Sequence, residues 1–90
     1  MRSPFDEEKL QLVREFLQRE FRSCVCRDYF DLDKNAQVFV MEGPRVRQTL
    51  VVPSATFENP DFARLLNWRF VTVLAVADGV PVTLTSEGPR

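Results

Sequence analysis

The chain has no histidine. That removes the side chain most often used to move protons near neutral pH, and with it the Ser-His-Asp and Cys-His catalytic sets and metal sites built on imidazole. Glycine is scarce too: Gly43, Gly79 and Gly88 lie too far apart to form a phosphate-cradling loop. Only two cysteines occur, Cys24 and Cys26, too few for a secreted disulfide scaffold. In an extended segment a Cys-x-Cys pair leaves one face about two residues' rise apart, which is poor geometry for a mutual bridge and only half of a tetrahedral zinc site. The two are best read as small residues filling a helix-to-strand junction.

Long apolar runs are missing as well. The longest, Phe70 to Ala77 interrupted by Thr72, falls far short of the roughly 20 residues that a membrane span requires. The first residues carry an early acidic cluster in place of a positive region followed by an apolar stretch, so no signal peptide and no membrane partner are expected, and the chain is assigned to the cytoplasm. Charge of one sign does not dominate: 12 basic against 13 acidic residues leave a net charge of -1, with no global field to gather polyanions. Asp28, Asp31 and Asp33 lack the spacing, glycine and terminal glutamate of a calcium loop. The sequence therefore predicts no catalytic residue, cofactor or metal.

What is present is core material. Eight Phe, one Trp, one Tyr and a hydrophobic fraction of 44% in 90 residues suit a single small domain spanning 1–90 that buries about 60–65% of its unfolded surface. Ser3-Pro4-Phe5-Asp6 carries three helix-start signals, with Ser3 as the cap, and predicts a helix from Pro4 to Phe21. Leu10, Val13, Leu17 and Phe21 share its apolar stripe, and Leu12 with Phe16 forms a second patch. Cys24 to Leu32 predicts an edge strand, with the aspartates discouraging unwanted pairing. Val38 to Val52 predicts two antiparallel strands about Gly43-Pro44, with Gly43 free to take a positive φ. Val38 and Val40 oppose Phe39 and Met41, so this strand is expected to be central, with cover on each face. In the next strand Val46, Gln48, Leu50 and Val52 oppose Arg47, Thr49 and Val51, and the alternation points to a partly solvated second face.

Asn59-Pro60 starts a short helix. For Arg69 to Ala77, the β-branched content and the Asp78-Gly79 dipeptide favour a strand and hairpin over continuation of that helix. Pro81 opens a last strand, predicted to be an edge. Glu42-Gly43-Pro44-Arg45 recurs as Glu87-Gly88-Pro89-Arg90, which we read as reuse of a turn sequence, the alternative being a further C-terminal element beyond Arg90. The expectation is an α+β fold: an N-terminal helix packed on an antiparallel sheet of about five strands, in the order α-β-β-β-α-β-β. That order is similar to small secretion-chaperone folds, and its first five elements to double-stranded RNA-binding domains. No motif of either family maps onto these residues.

Function is weakly encoded. The leading expectation is a non-enzymatic scaffolding domain that binds a protein or peptide and forms a homodimer, through an edge strand or through Leu12, Phe16 and Trp68. The alternative is RNA or single-stranded nucleic acid held by Tyr29, Arg45, Arg47, Arg64 and Arg69, since arginine binds phosphate and stacks.

Overall fold

The structure, a computed structural model, describes residues 4–77 and 79–90. The predicted cap Ser3 and the first half of the Asp78-Gly79 pair lie outside them. Helix α1 covers Glu7–Glu20, and the Asp6 carboxylate caps it by accepting the Glu8 N–H at 2.9 Å. It begins later than the sequence predicts because Phe5 is drawn inward, stacking on Phe57 with a 4.6 Å centroid separation and meeting Phe30 edge-on at 5.5 Å. Three of the four predicted stripe residues, Leu10, Val13 and Leu17, are fully buried.

The strands β1 (Val25–Asp31), β2 (Ala36–Glu42) and β3 (Arg47–Pro53) form the expected meander. At the β2–β3 turn, Gly43 does not use a positive φ. Its missing side chain is what counts, because a Cβ there would stand 3.2 Å from the Cys24 sulfur. After β3 come a single turn α2 (Ser54–Phe57), a 3-10 turn at Phe62–Leu65, and helix α3 (Trp68–Ala75). Residues 69–77 are thus mostly helical, against the strand expected for them. The Asn67 carboxamide accepts the Phe70 N–H, and Phe70 and Leu74, one turn apart, are both buried. Strand β4 (Val82–Thr85) then returns parallel to β3, and the two-residue β5 (Gly88–Pro89) closes the sheet.

The result is an α+β fold with a five-stranded mixed sheet in the order β1-β2-β3-β4-β5. The last long strand, β4, lies inside the sheet, because Glu87 to Arg90 folds back along it. One sheet face, with Phe39, Met41, Leu50, Val52, Val82 and Leu84, packs on Leu10, Val13, Phe16 and Leu17 of α1 and on Phe70 and Leu74 of α3. On the opposite face Ala36, Val38, Val40 and Val51 form a second cluster made of strand residues alone. Cover on both faces of β2 was expected. On this second face Arg27 and Tyr29 stand level with Val40 and Val38. Among the described residues no helix is long and apolar enough to cross a membrane.

Candidate functional site

The two edges of the sheet are built differently. At one, β5 is two residues long and includes Pro89, which has no N–H to offer a further strand. It is also tied down, by reciprocal Thr83 and Arg90 backbone bonds of 3.0 and 2.8 Å and by the Thr85 hydroxyl donating to the Gly88 carbonyl at 2.7 Å. At the other, β1 runs for seven residues and, among the described residues, pairs with β2 only. A row of N–H and C=O groups on the outer side of such a strand is a template for pairing with another chain.

On the helix-free face β1 presents Val25, Arg27, Tyr29 and Asp31. Val25 and Tyr29 are exposed, as is Leu32 just beyond the strand. Arg27 reaches across to Glu42 at 2.6 Å, and one Asp31 oxygen accepts the Lys34 N–H at 3.2 Å. The helix-side residues Cys26, Asp28 and Phe30 are half-buried. Asp28 accepts a two-pronged contact from Arg14, Nε and NH2 each at 2.9 Å, and a further bond from Gln37 Nε2 at 2.6 Å. Arg14 also contacts Glu7 at 2.7 Å. The Asp28 carboxylate holds the Arg14 guanidinium above its ordinary pKa, with burial opposing in part. The same surroundings push the Cys26 thiol up from 9.0, through burial first and the Asp28 charge second.

This network pins α1 to the middle of the edge strand. It was not foreseen from the sequence, where Asp28 counts only as a rejected calcium ligand and an edge-guarding charge. The missing signal was Arg14, fourteen residues away on another element, a separation that no local pattern records.

The residues singled out from sequence do not gather at one place. Leu12 is 45% exposed, whereas Phe16 is only 8% exposed, with its ring stacked on Phe70 at 5.7 Å and the Arg19 guanidinium 5.8 Å from its centroid. Of the Leu12/Phe16 pair only Leu12 is therefore at the surface, since α3 covers Phe16 through Phe70. Trp68 is 75% exposed and lines a shallow cavity of about 360 Å³ with Leu65, Arg69, Glu87 and Pro89.

Tyr29 and Arg47 share the helix-free face but not a site. Tyr29 is level with Val38 and Val51, and Arg47 with Glu42 and Val25, two strands over and four residues along. Arg45 sits in the β2–β3 turn, and Arg64 and Arg69 belong to the helical layer on the other side. The arginine/aromatic set is thus divided between two faces and a turn. Among the described residues no three carboxylates or thiols converge as a metal site would need, and both cysteines are free. Scans of family models, curated proteins and solved structures find no match to this chain.

Proposed function

We propose that this is a non-enzymatic interaction domain that works through protein contacts and assembles as a homodimer, with the outer edge of β1 as its contact surface. The observation that carries this reading is the asymmetry of the sheet. Seven residues of edge are open at β1, flanked by exposed Val25, Tyr29 and Leu32, while the opposite edge is short and ends in proline. A net charge of -1 offers little repulsion between copies.

The test is solution mass by light scattering coupled to size exclusion, over a concentration series and at two salt concentrations. A mass of twice the chain at the higher concentrations, retained in high salt, is the expected outcome. A monomer throughout overturns the reading.

A further inference from the structure

We infer that the partner at the β1 edge is a second copy of this chain, paired antiparallel about a two-fold axis at Tyr29, so that Arg27 of each copy faces Asp31 of the partner subunit. This rests on the homodimer proposed above and adds its register.

Symmetry restricts the choices. Two identical edge strands that extend one sheet antiparallel are related by a two-fold perpendicular to the sheet, and that axis must pass between a residue and its own copy. The helical layers then lie on the same side. Within Val25–Asp31 only three centres leave five or more residue pairs: Arg27, Asp28 and Tyr29. Centring on Arg27 sets that guanidinium against the partner's Arg27. Centring on Asp28 puts Val25 against the partner's Asp31 and Arg27 against the partner's Tyr29, so that register forms no ion pair across the junction. Centring on Tyr29 sets Arg27 against the partner's Asp31 twice over, with Tyr29 against the partner's Tyr29 between the two ion pairs.

Directly opposed like charges destabilise a strand pair, whereas opposite charges and aromatic pairs stabilise it. The charges that guard this edge against indiscriminate pairing thus favour one register. Both partners of the new ion pair have capacity left. Glu42 engages a single nitrogen of Arg27, and the Lys34 N–H takes one of the two oxygens of Asp31. On the helix side Asp28 brings no unpaired charge to the junction, because Arg14 already grips it.

The experiment has two arms, read against the solution mass of the unaltered chain. In the first, Tyr29→Cys is made in a chain carrying Cys24→Ala and Cys26→Ala and exposed to mild oxidant, with Arg27→Cys in the same background as control. Residues directly opposite across an antiparallel pair have Cα atoms about 4.5–5.5 Å apart, within disulfide reach. A covalent dimer is expected for Tyr29→Cys and not for Arg27→Cys, whose copies are four residues out of step.

In the second arm Arg27→Asp and Asp31→Arg are each expected to weaken the dimer about tenfold, and the double variant to return it to within about threefold of the original, since both ion pairs re-form with their signs exchanged. If the unaltered chain is a monomer at every concentration, the homodimer and this register fall together. If it is a dimer that shows no Tyr29→Cys cross-link and is indifferent to both single charge changes, the homodimer stands and the register is overturned.

Discussion

Replacing Asp28 by Ala tests whether the polar staple between α1 and β1 holds the edge strand. The loss divides between two neighbours. Gln37 is only 3% exposed, and its carboxamide makes one hydrogen bond, to Asp28, with its own Oε1 already without a partner. Without Asp28 both ends of a buried amide are unsatisfied, which costs about 1–3 kcal/mol. Arg14 loses two contacts, yet its side chain is 27% exposed and keeps Glu7, so solvent reduces that share to about 1 kcal/mol. The sum, about 3 kcal/mol, is a large part of the roughly 5–15 kcal/mol that holds a domain folded. It corresponds to a melting-temperature drop of roughly 12–24 °C at this chain length.

Urea denaturation followed by circular dichroism gives the value, with an unchanged m-value confirming that the same surface unfolds. Two companions sharpen it. Glu7→Ala removes the outer contact, whose carboxylate side chain is 72% exposed, and is expected to cost under about 0.5 kcal/mol. Combining Arg14→Met, Asp28→Leu and Gln37→Leu removes the buried charges and the unsatisfied amide at once, leaving only the exposed Glu7 carboxylate to solvent, and is expected to recover most of the loss. If Asp28→Ala costs no more than Glu7→Ala, the staple is not what fixes β1 against α1.

Two further perturbations separate core from surface and test the thiol. Phe16→Ala is expected to cost about 3–5 kcal/mol in the same urea assay because it leaves a void against Phe70; Leu12→Asp, on an exposed position of the same helix, is expected to stay within about 0.5 kcal/mol. Equal costs would contradict the placement of Phe16. For Cys26, a thiol pKa raised above 9.0 means that the folded chain keeps a proton which the unfolded chain loses. The associated stability is complete below 9.0 and declines as pH rises through the ordinary cysteine value to the folded one. Alkylation by iodoacetamide near pH 8.5 should accordingly be slower at Cys26 in the folded chain than in urea, and matched rates would refute the shift.

Most of the meander was legible because each of its signals is local. Alternation separated Val38 and Val40 from Phe39 and Met41 in one strand, and Leu50 and Val52 from Val51 in the next, and the pairing of the strands brings these sets together as two separate clusters. Pro53 marks the end of β3 as expected. The candidate site was less legible because its parts meet only in three dimensions. Tyr29 was singled out as a stacking residue and Asp31 only as a rejected calcium ligand and edge charge, while Arg27 on the same face of the same strand attracted no notice. Their significance depends on the sheet order, which leaves β1 at the edge.

The stretch Arg69 to Ala77 shows why β-branched content misleads. Val71, Thr72 and Val73 favour a strand when counted one residue at a time, but each gives up only a few tenths of a kcal/mol in a helix. Against that small preference stands the position of β4. It pairs with β3 in the same direction, Leu50 with Val82 and Val51 with Thr83, and parallel neighbours require a crossover of a dozen or more residues lying on the sheet face, usually a helix. A strand at 69–77 in hairpin with residues 80–85 would be antiparallel to it and would leave Leu10, Val13 and Phe16 without Phe70 and Leu74 above the sheet. Two local signals did agree with the crossover: Asn67, whose side chain caps the helix, and the four-residue spacing of Phe70 and Leu74. Burial of that pair, about 1.5–3 kcal/mol for each side chain, outweighs the propensity deficit of these three β-branched residues. The same helix then covers Phe16 and leaves Leu12 as the exposed member of the pair on α1.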